Sequence, residues 1–332
     1  MTRLADYTSL HIGGQPRAFI EATTEAEIIG AVNSADAEGR ELFILGGGSN
    51  VIIADDFEGD VLRIASTGID NDPSVCAGAW VTVQAGHSLD DLVATAVANG
   101  WTGIEGLSGV PGTVGATPLQ NVGAYGQQVS DTIAQVRAWN RETQTIDTLF
   151  ASNCEFSYRD SILKQHPKRW VVLSVVFQFP LGTLSAPIQF DELANKIGVD
   201  KGARVPMSDV RSAVLELRNG KGMVINPADH DTWSVGSFFL NPRVGQAPEG
   251  APAWEQPDGL FKVSAAWLIE NAGFAKGFGL NDRATLSTKH TLAITNRGQA
   301  TATDVIELAE HITAGVKSQF GIDLEIEPRV IK

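Results

Sequence analysis

The amino-acid sequence predicts an α+β fold. Capped amphipathic helices and short strands follow one another without the regular βαβ rhythm of a doubly wound parallel sheet. Hydrophobic residues make up 43% and charged residues 19% of the 332 residues, which is ordinary globular usage and excludes a disordered chain. This length predicts two or three domains with enough apolar surface to build a core.

Five helices are predicted where a polar cap precedes apolar residues at helical spacing. The predicted starts are Thr24, Ser88, Ser208, Ser264 and Thr303. Glycines are expected to end four of these helices, at Gly100, Gly220, Gly273 and Gly321. We expect the apolar face of each helix to pack in the core.

Seven short strands are predicted between these helices from apolar runs bounded by turn residues. They are Glu41–Leu45, Val61–Ile64, Trp80–Gln84, Ile133–Trp139, Trp170–Phe179, Thr291–Thr295 and Asp323–Ile326. Turn-forming residues predict a linker at Pro180–Pro187 and an exposed loop at Asn241–Gly259.

The charge balance and apolar runs limit the possible partners. The formal net charge is −14, and a duplex-binding protein needs a basic face, so we expect no nucleic-acid partner. The longest apolar stretch, Trp170–Phe179, is too short to span a bilayer, and no secretory pattern opens the chain. We therefore expect a cytoplasmic protein without a membrane partner.

Cysteine and histidine usage predicts neither disulfides nor metal. Cys76 and Cys154 form no framework, which indicates a reducing compartment and two buried thiols. The six histidines show no metal-ligand spacing, so we expect no structural metal.

A short glycine loop, residues 46–50, follows a predicted strand and precedes another apolar run. This strand–loop–strand context does not match a Rossmann fingerprint, which needs a helix after the loop. Three consecutive glycines can present backbone N–H groups as an anion-binding nest, and Ser49 and Asn50 would add side-chain donors. A tight turn without a ligand is the alternative interpretation.

A long glycine loop, residues 103–126, holds seven glycines interleaved with hydroxyl and amide side chains. Glycine at this density costs chain entropy unless the backbone must approach something closely. Tyr125 could place its ring beside a flat heterocycle. Together the two loops predict a phosphorylated aromatic cofactor, and these residues alone indicate no more than a dinucleotide.

Three polar groups elsewhere could carry chemistry. Arg159 could clamp a carboxylate, or pair with an Asp on a surface turn. Ser237 follows a glycine, but Phe239 breaks the hydrolase elbow pattern, so a buried structural serine is the alternative. Glu325 and Glu327 would share one strand face. In an enclosed site, repulsion between the two carboxylates could raise the pKa of one of them so that it keeps its proton; the alternative is an ordinary solvated strand face.

The order of these segments resembles the UDP-N-acetylenolpyruvoylglucosamine reductase family from about Leu10 to the C-terminus. The resemblance lies in LGGGSNVII (45–53), GLSGVPGTVGATPLQNVGAYG (106–126), CEFSYRDSILK (154–164), GSFFLNP (236–242), SAAWLIENAGFAKG (264–277) and LEIEPRVI (324–331). It implies a two-lobed FAD-binding domain of the vanillyl-alcohol-oxidase (PCMH) type plus a C-terminal α+β substrate-binding domain. The implied bounds are 1–65 for the first lobe, 66–200 with the last strand 321–332 for the second, and 201–320 for the substrate domain.

The resemblance also implies FAD as cofactor and NADPH as electron donor. The implied FAD-binding residues are Gly46, Gly47, Gly48, Ser49, Asn50, Ser108, Gly109, Gly112, Thr113, Gly115, Ala116, Gln120, Asn121, Gly123, Ala124 and Tyr125. Because residues 46–48 include no histidine, we expect the FAD to be non-covalent.

The implied reaction belongs to peptidoglycan precursor synthesis. NADPH would reduce FAD, and flavin N5 would then pass hydride to the enolpyruvyl group of UDP-N-acetylglucosamine enolpyruvate, giving UDP-N-acetylmuramate. In this resemblance Arg159 and Glu327 stabilise the substrate carboxylate and Ser237 donates the proton. The substrate would also be contacted by Tyr158, Lys221 and Asn241.

We expect the protein to be a monomer.

Two departures from the family pattern leave alternatives open. Phe190 stands where one subgroup has a Tyr over the substrate diphosphate, so we expect no polar role for it. Pro328 interrupts the final strand because proline lacks an N–H, and Glu325 therefore competes with Glu327 as the catalytic Glu. Alternative functions are another FAD oxidoreductase of the same superfamily and an inactive flavin-binding or nucleotide-binding protein.

Overall fold

The fold was taken from a computed structural model, which describes residues 2–55, 57–74 and 78–332. The chain divides into two units built from interleaved segments. Unit 1 comprises Met1–Pro16, Gly48–Glu58 and Gly220–Lys332, and unit 2 comprises Arg17–Gly47 and Gly59–Asn219.

Seven α-helices form in the described residues. They are α1 (Glu25–Ala37), α2 (Leu89–Asn99), α3 (Ile162–Gln165), α4 (Asp191–Ile197), α5 (Met207–Gly220), α6 (Ala265–Asn271) and α7 (Ala302–Phe320). The predicted caps Thr24, Ser88 and Ser264 are confirmed, since each side chain accepts a backbone hydrogen bond in the first turn. The prediction at Thr303 is wrong: Thr301 caps α7, in a capping box with Asp304.

Seventeen strands form in the same residues. They are β1 (Ala18–Ala22), β2 (Leu42–Leu45), β3 (Val51–Ile53), β4 (Asp60–Ile64), β5 (Ile69–Ser74), β6 (Gly78–Gln84), β7 (Gly123–Ala124), β8 (Gln127–Gln128), β9 (Ile133–Asn140), β10 (Thr145–Phe150), β11 (Trp170–Phe179), β12 (Arg243–Val244), β13 (Ala253–Glu255), β14 (Phe261–Val263), β15 (Ala284–Leu286), β16 (Ile294–Asn296) and β17 (Arg329–Ile331).

Unit 2 contains a five-stranded antiparallel sheet in the order β10-β9-β11-β6-β5 and a three-stranded parallel sheet in the order β1-β4-β2. One apolar core joins side chains of both sheets with those of α1 and α2. The central strand β11 is almost wholly buried, which explains why its sequence is a continuous apolar run rather than an alternating one.

Unit 1 is assembled from three separate segments. Its strands form the parallel pair β17-β3, the antiparallel sheet β12-β14-β13 and the antiparallel pair β15-β16. The apolar faces of α6 and α7 share a core with Leu10 and Ile12 from the N-terminal segment and Ile52 from β3. The core of this unit therefore depends on residues that lie far apart in sequence.

Three of the predicted segments differ from the structure. The strand expected at Asp323–Ile326 is irregular and makes a single bridge from Ile326 to Phe239, whereas regular pairing begins at Arg329, just after Pro328. Pro180–Pro187 is not a linker between units, because it lies inside unit 2 and is tied to it by the bridges Trp101↔Leu181 and Leu184↔Pro206. Asn241–Gly259 is not wholly loop, since it holds β12 and β13.

The two units have different bounds from the three domains that the family resemblance implies. The last strand was expected with residues 66–200, but β17 pairs with β3 in unit 1. The physical reason is that β3 presents the partner edge, and Ala54 extends the pairing by donating to the carbonyl of Ile331 at 2.8 Å.

Cys154 is buried, as predicted, and burial raises the pKa of its thiol to about 11. The prediction for Cys76 falls outside the described residues. Within the described ranges, none of the helices combines the length and apolarity needed to cross a membrane. In that same part of the chain, no group of three or more His, Cys, Asp or Glu side chains is placed to hold a metal ion.

Candidate functional site

The two predicted glycine loops meet within unit 2. A Cβ on Gly46 would lie 2.6 Å from Thr113 Oγ1, and a Cβ on Gly47 would lie 2.6 Å from Gly112 Cα. Any side chain at Gly47 would collide with backbone, so this approach of the two loops requires glycine. Gly47 is itself exposed, so its backbone is open to a ligand.

The remainder of the short glycine loop belongs to unit 1. Gly48 has a positive φ of +63°, and a Cβ there would lie 1.9 Å from the carbonyl oxygen of Tyr7. The carbonyl of Gly48 accepts from the N–H of Ser9 at 3.0 Å. Ser49 and Asn50 are half-buried, and the N–H of Arg329 donates to the Asn50 carbonyl at 3.1 Å. These bonds hold the loop where it enters β3.

Two carboxylates fix the backbone of the long glycine loop. The buried Glu105 accepts from the N–H of Gly103 at 2.7 Å and from the N–H of Ala186 at 2.6 Å. Asp90, at the start of α2, accepts from the N–H of Gly109 at 2.7 Å. Neither acid is among the site residues predicted from the sequence. Glu105 could have been found, because an acidic residue inside a glycine-rich loop is a visible signal for such a role, whereas Asp90 lies on α2.

Some predicted FAD-binding residues turn their polar groups into the protein. Ser108 is buried and donates to the carbonyl of Glu105 at 2.6 Å. The buried Asn121 donates through Nδ2 to Gln128 and to the carbonyl of Ser157, and its Oδ1 accepts from Ser130. These two side chains shape the loop from within.

The other predicted residues of this loop differ in exposure. Gly109 and Gly115 are buried, and the Gly115 N–H donates to the Ala85 carbonyl at 2.8 Å. Ala116 is exposed. The half-buried members are Gly112, Thr113, Gln120, Gly123, Ala124 and Tyr125.

Arg159 is held beside the long glycine loop by an unusual backbone. Asn121, Tyr125 and Arg159 all have left-handed φ values, of 44°, 51° and 56°. Non-glycine residues rarely adopt this conformation, and it concentrates at functional sites. Arg159 Nη2 donates to the carbonyl of Gly123 at 2.8 Å, so the predicted carboxylate clamp and the predicted flavin loop lie together in unit 2.

Aromatic rings border this region. The Tyr125 ring packs edge-on against Phe190, with centroids 5.5 Å apart, and burial raises the pKa of its phenol to about 12. Phe190 thus packs against another ring. Tyr158 is 43% exposed, and Arg159 Cζ lies 5.6 Å from the centroid of its ring.

Ser237 and Glu327 lie on neighbouring segments of unit 1. The N–H of Glu327 donates to the carbonyl of Phe238 at 2.9 Å, and the N–H of Leu240 donates to the carbonyl of Glu325 at 2.9 Å. Ser237 and Glu327 are half-buried, whereas Glu325 is exposed. The segment is irregular, so the strand alternation expected to place both acids on one face does not apply.

Two predicted substrate contacts also lie in unit 1. Asn241 Oδ1 accepts from the N–H of Ala265 at 2.9 Å and so helps to cap α6. Lys221 directly follows α5 and is half-buried. The next residue, Gly222, has a φ of +67° and comes so close to Asp231 that a Cβ would lie 2.9 Å from its carbonyl oxygen.

These features fit a dinucleotide cofactor. Gly46 and Gly47 leave no room for side chains where the two loops meet, and the exposed backbone of Gly47 can present an N–H group to an anion such as a pyrophosphate. Within unit 2 the structure places Gly46 and Gly47 against Gly112 and Thr113 of the long glycine loop, and Arg159 against Gly123 of the same loop. Within unit 1 it brings Ser237 and Glu327 together through the backbone bonds of their neighbouring segments.

Comparison with known proteins decides the family. A curated UDP-N-acetylenolpyruvoylglucosamine reductase of Cutibacterium acnes is 51% identical over 99% of this chain and 89% of its own length. The chain belongs to the UDP-N-acetylenolpyruvoylglucosamine reductase family. A reductase of the same name from Streptomyces avermitilis is 48% identical over 98% of this chain and 92% of its own length.

Family models and a solved structure agree with this assignment. The model of the UDP-N-acetylenolpyruvoylglucosamine reductase C-terminal domain matches residues 226–331, and an FAD-binding-domain model matches residues 16–148. The crystal structure of UDP-N-acetylenolpyruvylglucosamine reductase from Thermus caldophilus is 25% identical. The two structures superpose over 100% of this chain and 98% of the Thermus caldophilus chain, with a TM-score of 0.67.

Membership of the reductase family confirms several predictions. The chain is an FAD-dependent oxidoreductase of peptidoglycan precursor synthesis, with an FAD-binding domain and a C-terminal domain in an α+β fold. The FAD-binding-domain match spans both glycine loops, whose residues predict a dinucleotide and for which the family resemblance implies FAD.

Proposed function

We propose that this reductase uses NADPH to convert the enolpyruvyl ether of UDP-N-acetylglucosamine into the lactyl ether of UDP-N-acetylmuramate. The observation that carries the proposal is the 51% identity to the Cutibacterium acnes reductase over nearly the whole of both chains. The UDP-sugar is a small-molecule substrate, and the FAD is proposed to bind non-covalently because residues 46–48 include no histidine.

The short glycine loop is proposed to hold the FAD pyrophosphate, and residues 109–126 to line the flavin. When bound, FAD supplies hydride from its N5 position. The exposed backbone of Gly47 supports this assignment, because backbone N–H groups in a run of glycines can bind an anion.

Arg159 is proposed to bind the substrate carboxylate through its guanidinium group. Negative charge develops on that carboxylate as hydride reaches the distal vinyl carbon, so a fixed cation lowers the barrier. The bond from Arg159 Nη2 to the Gly123 carbonyl supports this role, since it orients the guanidinium in advance of binding. Tyr158, Lys221 and Asn241 are proposed to contact the rest of the substrate, with Lys221 at the diphosphate.

Glu327 is proposed to donate a hydrogen bond to the substrate, and Ser237 is proposed to transfer a proton to it. A protonated Glu327 would donate a hydrogen bond to the same carboxylate, as carboxylic acids in enclosed sites can. The Ser237 hydroxyl would give its proton to the remaining vinyl carbon, completing addition of hydride and proton across the double bond. The partial burial of both side chains supports these roles.

Two half-reactions test the proposal. Purified enzyme should oxidise NADPH, and addition of UDP-N-acetylglucosamine enolpyruvate should sustain turnover. Ser237→Ala should leave flavin reduction by NADPH unchanged and slow reoxidation by the sugar about 100-fold or more. Stopped-flow absorbance of the flavin measures each step, and Ser212→Ala, at an exposed serine on α5, is the control.

Equal loss of both half-reactions in Ser237→Ala would refute the proton-donor role. Rapid turnover with oxygen and an alcohol substrate, without dependence on NADPH, would instead identify another FAD oxidoreductase. Bound flavin without any hydride transfer would identify an inactive binding protein.

A further inference from the structure

Asp90 joins three parts of unit 2 through one carboxylate. Its Oδ1 accepts from the N–H of Gly109 at 2.7 Å and from Arg211 Nη1 at 2.7 Å, and its Oδ2 accepts from Arg211 Nη2 at 3.1 Å. Asp90 lies in the first turn of α2, Gly109 in the long glycine loop, and Arg211 on α5. The ion pair is bidentate, which is the geometry that fixes both partners most strongly.

The surroundings make this contact stronger than a surface ion pair. The side chains of Asp90 and Arg211 are only 35% and 21% exposed. Burial acts to raise the pKa of Asp90, but the hydrogen bonds from Arg211 and Gly109 outweigh it and hold that pKa below its usual range. Arg218, seven residues further along α5, adds a second positive charge that favours the ionised carboxylate.

The same end of α2 touches the long glycine loop at two further points. The N–H of Leu89 donates to the carbonyl of Gly112 at 3.1 Å, and Ser88 forms a bridge with Thr113. Gly112 is the residue whose backbone contacts Gly47 in the short glycine loop. A displacement of α2 or Gly109 would therefore reach the region where the two loops meet.

We infer that Asp90 is a positioning residue for the cofactor, which sets the long glycine loop at Gly109 and couples that loop to α5 through Arg211. This inference rests on the proposed placement of the flavin along residues 109–126. Asp90 does not itself contact the reacting atoms in this assignment. Arg211, although it lies outside both glycine loops, is thereby predicted to influence how tightly FAD binds.

Asp90→Asn tests the charge of the carboxylate while keeping its size. We expect the dissociation constant for FAD to rise about tenfold or more, because a half-buried charge-assisted hydrogen bond is weakened. We also expect the visible absorption bands of bound flavin to shift, which a general loss of stability would not produce. Asp91→Asn is the matched control, since Asp91 lies in the same helical turn and is exposed. Flavin fluorescence titration measures the affinity.

A double-mutant cycle tests the coupling. Arg211→Gln is expected to raise the FAD dissociation constant about threefold or more in the wild-type background and to add nothing in the Asp90→Asn background. Additive effects of the two substitutions would overturn the coupling. If Asp90→Asn failed to fold, an unchanged affinity in Arg211→Gln would still overturn it, because Arg211→Gln keeps the bond from Gly109 to Asp90.

The outcomes also separate this inference from the proposed function. Asp90→Asn that binds FAD as Asp91→Asn does would overturn the inference and leave the proposed function intact. A wild-type enzyme that binds FAD but does not transfer hydride from NADPH to the UDP-sugar would contradict the proposed function, while the affinity cycle would still report on Asp90.

Discussion

At the scale of single residues, the candidate site contains three unusual backbone conformations. Asn121, Tyr125 and Arg159 adopt left-handed φ values although each has a side chain. Each such conformation costs about 1–3 kcal/mol and persists only where surrounding contacts enforce it. Here the Arg159–Gly123 bond and the Asn121 amide network supply those contacts. Three of the six non-glycine residues with left-handed φ in the described part of the chain thus lie in the predicted flavin loop and at the predicted carboxylate clamp; the others are His11, Gln144 and Glu155.

Glu327 and Glu325 can be separated by matched substitutions. Glu327→Gln is expected to slow reduction of the UDP-sugar about 100-fold, because the half-buried carboxyl group is proposed to stabilise the developing charge. Glu325→Gln, at an exposed side chain, is expected to leave that rate unchanged. Single-turnover reoxidation of reduced flavin measures both. The reverse pattern would make Glu325 the catalytic Glu.

Gly47→Ala tests the meeting of the two glycine loops. The new Cβ would lie 2.6 Å from Gly112 Cα, so one backbone segment must move. We expect the free energy of unfolding to fall by about 1–3 kcal/mol, with weaker FAD binding. Gly30→Ala is the control, since a Cβ at Gly30 in α1 meets no atom within 4 Å. Urea unfolding and FAD titration provide the measurements, and equal behaviour of the two variants would contradict the close approach.

Residues of the candidate site could be predicted where their chemistry depends on the type of residue. They could not be predicted where their role depends on contacts between positions far apart in the sequence. The glycine triplet and Arg159 stand out because few residue types can supply a close backbone approach or a bidentate clamp. Asp90 did not stand out, because its partners Gly109 and Arg211 lie 19 and 121 positions away. The bond from Ala186 to Glu105 spans 81 positions and was hidden in the same way. The inward orientation of Asn121 was hidden for the same reason.

At the scale of elements, helix starts followed from local sequence. Thr24 and Ser88 were predicted correctly because a cap acts on residues three positions away. At α7 two threonines compete, and Asp304 decides in favour of Thr301 because it completes the capping box. The position of the last strand was harder to predict from the sequence, because the pairing of β17 depends on β3, which lies nearly 280 positions earlier.

Asp304 makes the stability of unit 1 depend on pH. Hydrogen bonds from Arg283, despite opposing burial, hold the pKa of Asp304 far below its ordinary value near 3.8, and Thr301 adds two more bonds. The unfolded chain binds its proton more readily, so this stabilisation is complete well above pH 4 and is lost progressively as the pH falls below it.

Asp304→Asn is therefore expected to lower the free energy of unfolding at pH 7 by about 1–3 kcal/mol. The difference from wild type should shrink towards pH 3. Asp323→Asn, which removes an exposed partner of Lys317, should show little effect at either pH. Denaturant titrations at several pH values measure both, and a difference for Asp304→Asn that did not vary with pH would contradict the assignment.

At the scale of the whole molecule, unit 1 is discontinuous in sequence. Its core combines Leu10, Ile12 and Ile52 with helices α6 and α7. A fragment of residues 220–332 covers the C-terminal family domain but lacks those three side chains and β3. We expect this fragment to show no cooperative thermal transition and poor dispersion in NMR spectra. A fragment that melts cooperatively would show that the N-terminal segments are dispensable.

The parallel pairing of β3 with β17 has a consequence for biosynthesis. Ile52 emerges from the ribosome about 280 residues before Ile331, which at typical translation rates is on the order of 14–55 s. During that interval the apolar side chains of Leu10, Ile12 and Ile52 lack the C-terminal residues that cover them in the finished protein. Leu10, Ile12 and Ile52 thus cannot complete their native apolar contacts until almost the whole chain has been synthesised, so unit 1 completes its fold only at the end of translation.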